Sequence, residues 1–145
     1  MRIIHDQVKN LGDCLKLAWA KSIISAPESA VIIPEIKQIR YDLDGLNVCE
    51  SFYSNGEIFW REHRKRVDDS CFLRHRDHNA GPALEVWYEN GLIRSRSFYQ
   101  NSGLHRPPEI GPAVIFYSES GYVIEEYWVD GERVPDFEIA GKCKR

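Results

Sequence analysis

The sequence predicts a mainly β protein, built as an antiparallel array of about three β-hairpin repeats with an N-terminal α-helix packed on or capping the sheet. The first observation is a repeat with a step of 30 residues, which relates His75 to His105, Gly81 to Gly111 and Gly91 to Gly121. A period of this length is typical of repeat architectures. The second observation is an Asn-Gly pair ending at Gly56 and another ending at Gly91, which favour tight hairpin turns. Each copy of the repeat is therefore expected to contribute one hairpin.

The composition is that of one domain with nearly balanced charge. The 145 residues are 43% hydrophobic and 12% aromatic, and the formal net charge is −3. This length is enough to bury a sizeable core, and the charge balance gives no support for a nucleic-acid or membrane partner. The four cysteines form no CxxC pair, so we expect free thiols. No apolar run is long enough for a signal peptide or a membrane span, and a cytoplasmic protein is the simplest expectation.

Residues 1–33 are predicted to form an N-terminal helical segment. An amphipathic helix is expected from about Asp6 to Ser25, because apolar residues that include Leu15 and Trp19 recur at helical spacing. Pro27 ends this helix. We expect its apolar stripe to cover an end or a face of the sheet, since a β array needs protection against edge-to-edge pairing. The alternative is a helix that docks into a groove of a partner protein.

The rest of the chain divides into a β-hairpin repeat domain and a short tail. The predicted segments are 34–135 for the domain, 46–63, 75–104 and 105–133 for its three copies, and 136–145 for the polar tail. Two strand-like runs flank the turn glycine of each copy, so three hairpins supply about six antiparallel strands. A lone hairpin is barely stable in water, and adjacent copies are therefore expected to bury one another's faces.

Two further segments lie outside the regular copies. Before the first copy, Ile39, Tyr41 and Leu43 alternate with polar residues, which indicates a strand with one buried face. Between the first and second copies lies a charged insertion, 64–74, whose basic residues are followed directly by two aspartates. Because these charges neutralise one another locally, the insertion is expected to be a solvated loop.

The residues that recur between copies are predicted to be scaffold. They are His75, Arg76, Gly81, Pro82, Gly91, His105, Arg106, Gly111, Pro112 and Gly121. We expect each imidazole to bond to backbone in the turn between hairpins, and each guanidinium to stack on an aromatic ring or pair with a carboxylate. The step from Tyr88 to Tyr117 is 29 residues, which predicts one extra residue before the turn glycine of one copy.

No catalytic signature is present, and we expect a protein that is not an enzyme, with no catalytic residue, metal ligand or cofactor. Two alternatives depend on clustered side chains. A small hydrolase or metal-dependent enzyme would use His75, His78 and Cys71, of which only His75 recurs in the next copy. Nucleic-acid binding would use the basic run Arg61–Arg66, which is shorter than a tight binder requires.

Side chains that differ between copies are predicted to bind a protein partner. Arg94 and Arg96 are expected on one face of the middle hairpin, with Glu125 at a similar place in the last hairpin. A surface with a positive and a negative stripe is suited to selecting a protein partner. The predicted contact residues are Trp87, Arg94, Arg96 and Glu125 on the sheet, or Leu15 and Trp19 on the helix. The open strand edges of the array also allow homo-oligomers.

The repeated unit, His-Arg-x4-Gly-Pro-Ala followed by an aromatic residue and a turn glycine, resembles the MORN-like repeats of bacterial antitoxin-type proteins and of phage and giant-virus proteins. The matching residues are His75, Arg76, Gly81, Pro82, Ala83, Tyr88, Gly91, Tyr99 and Gly103, then His105, Arg106, Gly111, Pro112, Ala113, Tyr117, Gly121, Trp128 and Gly131. The resemblance implies a scaffold that binds another protein. Its most concrete form is an antitoxin-like binder, or a phage-encoded inhibitor that occludes a host or defence protein.

Overall fold

The computed structural model describes residues 17–135, and this part of the chain is mainly β. It contains one α-helix and a nine-stranded sheet in which neighbouring strands form antiparallel hairpins. The predicted fold class is confirmed at this level. The early part of the predicted helix, Leu15 within it, and the polar tail 136–145 lie outside the described residues. Between residues 17 and 135, no helix is long and apolar enough to cross a membrane.

The elements follow one another closely along the chain. They are α1 (Leu17–Ser25), β1 (Val31–Ile33), a 3-10 turn (Pro34–Ile36), β2 (Gln38–Leu43), β3 (Leu46–Phe52), β4 (Ile58–Asp68), β5 (Cys71–Arg74), β6 (Leu84–Trp87), β7 (Ile93–Ser97), β8 (Tyr99–Gln100), β9 (Gly103–Leu104), β10 (Val114–Tyr117), β11 (Val123–Glu126), β12 (Trp128–Val129) and β13 (Glu132–Arg133). The order across the sheet is β1-β2-β3-β4-β6-β7-β10-β11, and β5 pairs with the far end of β4. Strands β8 and β9 form a separate two-stranded ladder, as do β12 and β13.

The three hairpin turns share one hydrogen-bond pattern. The carbonyl of the residue three positions before the glycine accepts a hydrogen bond from the glycine N–H. The N–H of the same residue donates to the carbonyl of the residue directly after the glycine, which is Glu57, Leu92 or Tyr122. In this pattern the residues that precede Gly56, Gly91 and Gly121 by three are Tyr53, Tyr88 and Ser118. Ser118 is therefore the counterpart of Tyr88, and the step of 30 continues up to the turn. The predicted extra residue before the turn glycine is wrong.

The irregularity instead follows the glycine. In the first hairpin the partner of Ser51 is Trp60 but the partner of Phe52 is Ile58, which leaves Phe59 as a bulge. In the second hairpin the same shift leaves Arg94 as a bulge. The third hairpin pairs without a shift. The bulge adds one residue to the strand that follows the turn. The number of residues between successive turns therefore differs by one from the number between the ends of the strands that follow them.

The insertion 64–74 is a β-hairpin and not the solvated loop that was expected. Strand β4 continues to Asp68 and the chain returns as β5. The guanidinium carbons of Arg64 and Arg66 lie 3.9 and 4.7 Å from the centre of the Phe72 ring, and Lys65 bonds to Asn101. The basic side chains are thus held by contacts within the sheet, which the local charge pattern does not reveal.

The repeated His-Arg-x4-Gly-Pro-Ala segment joins one hairpin to the next. The Arg106 guanidinium lies 4.0 Å from the centre of the Phe98 ring and donates from Nη1 to the Pro112 carbonyl at 3.1 Å. A Cβ on Gly111 would stand 2.7 Å from the same Nη1. Arg76 bonds to the Pro82 carbonyl in the same way, at 3.2 Å. Any side chain at these two glycines would have to displace the arginine guanidinium, which occupies the space that a Cβ would fill.

Two more hydrogen bonds cross each joint. The imidazole Nδ1 of His75 accepts from the Asn101 N–H at 3.1 Å, and that of His105 accepts from the Asp130 N–H at 3.1 Å. The hydroxyl groups of Tyr53 and Tyr88 each donate to a backbone carbonyl of the following hairpin, at 2.6 Å to Trp87 and 2.8 Å to Tyr117. Successive hairpins are therefore joined by side chains as well as by the strand ladder.

Helix α1 supplies much of the buried core. Trp19, Ala20 and Ile23 pack with Ala30, Ile32, Ile39 and Phe52. The Trp19 and Phe52 rings meet edge to face with centroids 5.0 Å apart. Only 4% of Trp19 is exposed, so this residue is part of the core and cannot act as the predicted partner contact.

We predict that Gly111→Ala lowers the free energy of unfolding by about 1–2 kcal/mol, because the displaced Arg106 guanidinium loses its hydrogen bond and its aromatic contact. Urea unfolding of a double-mutant cycle checks the cause. In an Arg106→Ala background the glycine substitution should cost almost nothing further. An equal cost in both backgrounds would show that the arginine does not require the glycine.

Candidate functional site

One face of the sheet carries an open groove of about 540 Å³. Its lining residues are Phe59, Trp60, Glu62, Arg74, Leu84, Val86, Arg94, Ser95 and Phe116. Strand alternation explains the apolar floor: Trp60 pairs with Val86, Val86 with Ser95 and Ser95 with Phe116, so these side chains share one face. Each of these side chains is only half-buried.

The two bulges turn additional side chains toward this groove. Phe59 stacks on Tyr53 with ring centroids 4.5 Å apart. Arg94 lies beside Tyr88, with its guanidinium carbon 5.7 Å from the ring centre. Since a bulge interrupts the alternation of side chains, Arg94 lines the same groove as its neighbour Ser95.

The two cations of the groove have different surroundings. Arg74 is bound to Glu62 at 2.6 Å, which neutralises that end of the groove. Arg94 is exposed, and no carboxylate among the described residues forms an ion pair with it. The groove can therefore contact an apolar group along its floor and an anionic group at Arg94.

The opposite face carries a row of alternating charge. Glu50, Arg61, Glu85 and Arg96 follow one another across four adjacent strands. Arg61 contacts Glu50 at 3.0 Å and Glu85 at 3.6 Å. The hydroxyl of Tyr41 donates to Glu50 at 3.2 Å, and burial together with the negative charge of Glu50 raises the pKa of Tyr41 to about 12. This row stabilises the sheet by cross-strand pairing.

The predicted contact surface is divided between these two faces. Arg94 lines the groove, whereas Arg96 pairs in register with Glu85 on the opposite face. Trp87 lies near Arg61, 5.4 Å from its guanidinium carbon, and Glu125 continues the charged row beyond Ile115. The expectation that Arg94 and Arg96 share a face is wrong, because the bulge at Arg94 reverses the orientation that simple alternation predicts.

The residues of the two alternative functions are placed apart or already engaged. Cys71 is exposed at the start of β5, while the His75 ring is half-buried and bonded to backbone. Within residues 17–135, no group of three or more His, Cys, Asp or Glu side chains could hold a metal ion. In the basic run, Arg61 pairs with glutamates, and Arg64 donates to Asn47 at 2.8 Å while packing on Phe72.

The sequence pattern alone does not reveal most of the groove. Phe59, Val86 and Phe116 are not among the predicted contacts, and Trp60 is recognisable only as one of the tryptophans that interfaces favour as anchors. Their common face depends on the pairing of strands from three different hairpins. Alternation within one strand gives its two faces, but it does not say which face a neighbouring strand shares.

His63 is another residue whose position only the structure gives. It is 7% exposed, and its backbone carbonyl accepts from His75 as the Phe98 carbonyl accepts from His105, so His63 and Phe98 hold corresponding places. No group in the described part of the chain forms a hydrogen bond with its Nδ1. Burial, and then the positive charges of Arg76 and Arg61, lower the pKa of His63 to about 4. The neutral imidazole is therefore packed as an aromatic ring.

Comparison of the chain with protein-family models, with curated proteins and with solved structures returned no match.

We predict that His63→Phe removes part of the acid sensitivity of the fold. The pKa of this group is lower in the folded chain than its ordinary value near 6.5, so the unfolded chain binds more protons between about pH 6.5 and pH 4. Stability from neutral His63 is fully present above this window and is lost as pH falls through it, by about 2 kcal/mol at pH 5. Urea unfolding at pH 7 and pH 5 should show a smaller loss for His63→Phe. An unchanged difference between the two pH values would mean that His63 does not titrate this way.

Proposed function

We propose that the protein is a non-enzymatic protein-binding module whose partner occupies the groove on the open face of the sheet. One observation carries the proposal: Arg94, an exposed cation with no ion-pair partner between residues 17 and 135, lines the groove beside a half-buried floor of aromatic and aliphatic side chains. Aromatic residues and arginine are enriched at the energetically important centres of protein interfaces.

The other elements of the chain pack on only one face of the sheet, and this supports the groove as the binding surface. Helix α1 packs on Ile32, Ile39 and Phe52, and Ala83 and Ala113, the last residues of the two His-Arg-x4-Gly-Pro-Ala segments, are fully buried. By strand alternation these residues share the face opposite to the groove. An antiparallel sheet commonly has one covered and one solvated face, but a solvated face is normally polar. The apolar floor of this groove is better suited to a partner than to water.

The chemistry of the groove indicates what the partner presents. The floor around Trp60, Val86 and Phe116 can pack against an apolar or aromatic side chain of the partner. Arg94 can donate hydrogen bonds to a carboxylate in the same segment of that partner. At the other end the Arg74 charge is already compensated by Glu62. The expected ligand is therefore a segment with an apolar anchor and one acidic group near it.

The recurrence of the turns, the arginine contacts and the histidine bonds supports assignment of the chain to MORN-like repeats, with copies near 46–63, 75–104 and 105–133 and with the helix covering one end of the array. Such repeats would act as a scaffold in the cytoplasm, and occlusion of a toxin, host or defence protein would be the mechanism. Neither enzymatic chemistry nor nucleic-acid binding has a comparable observation in its favour.

The test compares Arg94→Glu with Arg96→Glu, because these two neighbours carry the same charge on opposite faces. A displayed library of random peptides is selected on the immobilised full chain, and the affinity of enriched peptides is measured for each variant. We expect peptides that combine an acidic and an apolar residue. Arg94→Glu should weaken them by about tenfold or more, because a charge-assisted contact is lost, while Arg96→Glu should leave affinity unchanged.

The same experiment can refute the groove. If Arg96→Glu weakens binding as much as Arg94→Glu, the effect is one of net charge. If no peptide is enriched, or if enriched peptides bind Arg94→Glu as tightly as wild type, the groove is not the binding surface. Thermal unfolding of both variants shows that a lost signal does not come from lost structure.

A further inference from the structure

Strand β11 is the last strand of the sheet, and within the described residues its outer edge has no pairing strand. The residues at its start are apolar and exposed: Tyr122 is 58% exposed, Val123 52% and Ile124 46%. An exposed strand edge is a template for pairing with another strand, and proteins usually protect such edges with charged side chains, above all lysine, with proline or with a bulge. Between Tyr122 and Glu126 there is no lysine, proline or bulge, and the charged residues of this edge are Glu125 and Glu126.

The corresponding edge of the preceding hairpin does receive a strand. On β7, Ser95, Arg96 and Ser97 pair with Phe116, Ile115 and Val114 of β10. Arg96 comes one residue before the last paired residue of β7 in its hairpin. Glu125 comes one residue before the last paired residue of β11 in the third hairpin. Because Ser118 and Tyr122 are already hydrogen-bonded across the turn, alternation along the ladder directs the N–H and C=O groups of Val123 and Glu125 outward. The edge of β11 therefore offers the same backbone groups to a further strand.

The side chains that would join another copy of this repeat are missing here. Ser118 takes the place of the tyrosines that donate to the following hairpin. Val134 bonds to the Tyr127 carbonyl as His105 bonds to that of Phe98, so a valine stands where the earlier copies have histidine. The edge of β11 thus offers the backbone groups that receive a following copy, but it lacks the side chains that hold such a copy. We therefore expect a strand other than a further repeat to pair with it.

The charged residues near this edge indicate which kind of strand can pair with it. The row of Glu50, Arg61, Glu85 and Arg96 alternates in sign from strand to strand, and beyond the uncharged Ile115 of β10 it ends on β11 at the exposed Glu125. An incoming residue directly opposite Glu125 is favoured if it is basic. A second copy that paired its own β11 antiparallel to this one, with the two Glu125 residues opposite each other, would bring like charges together, which disfavours self-pairing in that register.

We infer that the outer edge of β11 is a docking site for a β-strand of another protein, bound antiparallel, with a basic residue opposite Glu125 and apolar residues on the face of Ile124. This inference deepens the proposed function, since it rests on the chain being a protein-binding module, and it assigns a second contact next to the groove. Phe116 of the groove pairs directly with Ile124 of β11, so a single partner can reach both surfaces. The binding mode is addition of a strand to a sheet, in which backbone hydrogen bonds supply affinity and side chains supply selectivity.

The probe is a short labelled peptide in which valine and lysine alternate, and its matched control alternates valine and glutamate. Fluorescence anisotropy with the full chain should show preference for the lysine peptide by about fivefold, as expected for a cross-strand charge pair. Glu125→Lys should reverse that preference. Glu119→Lys, which makes the same change of charge in the exposed turn, should leave it as in wild type. Glu125→Pro should abolish binding of both peptides, because it removes an outward N–H group without removing an N–H that bonds to β10.

Several outcomes would overturn the inference. Equal affinity for the two peptides, or an equal effect of Glu119→Lys and Glu125→Lys, would mean that the edge does not select a basic strand. A dimer in sedimentation experiments that Glu125→Pro dissociates would make a second copy the occupant. Binding that appears only after Lys142, Lys144 and Arg145 are changed to glutamate would make the chain's own terminal segment the occupant.

The groove experiment separates this inference from the proposed function. If no strand peptide binds while Arg94→Glu still abolishes binding of groove peptides, the docking edge is refuted and the protein-binding function stands. If neither surface binds its peptides, both are refuted.

Discussion

The fold depends on the contact between an arginine guanidinium and the glycine five positions after it in the same joint. Arg106 lies over Gly111, bonds to the Pro112 carbonyl and stacks on Phe98 of the preceding hairpin. One side chain therefore fixes the path of its own connection and attaches it to the previous copy. Since a single hairpin is marginal in water, the stability of each copy comes from this attachment.

The joints also decide which face of the sheet stays open. The arginine segments and helix α1 both lie on the face of Ile39 and Ala113, so the opposite face has no cover in the described chain. The bulged residues Phe59 and Arg94 then add an aromatic ring and a cation to that uncovered face. The groove therefore forms because helix α1 and the arginine segments cover the other face, and because two single-residue bulges add side chains to this one.

The sequence predicts features that depend on neighbours in the chain. The 30-residue period, the glycine turns and the helix before Pro27 are examples, because each has a local physical cause. Features that depend on cross-strand pairing are not visible in this way. The expectation that Arg94 and Arg96 share a face is wrong because the shift between Val86 and Trp87 is a property of two paired strands. Likewise, the apolar spacing of Trp19 does not indicate whether that stripe covers the chain's own sheet or a partner.

Departures from the repeat, more than the repeat itself, distinguish the surfaces proposed for binding. Residues that recur, such as His105, Arg106 and Gly111, are occupied in holding hairpins together. The bulge that occurs in two hairpins is absent from the third, and there Ile124 continues the row of the groove without an added cation. In the same hairpin Ser118 replaces the tyrosine that would join a following copy. Within residues 17–135 the last hairpin therefore has an incomplete joint, and an incomplete joint beside an apolar groove is a surface that another chain can complete.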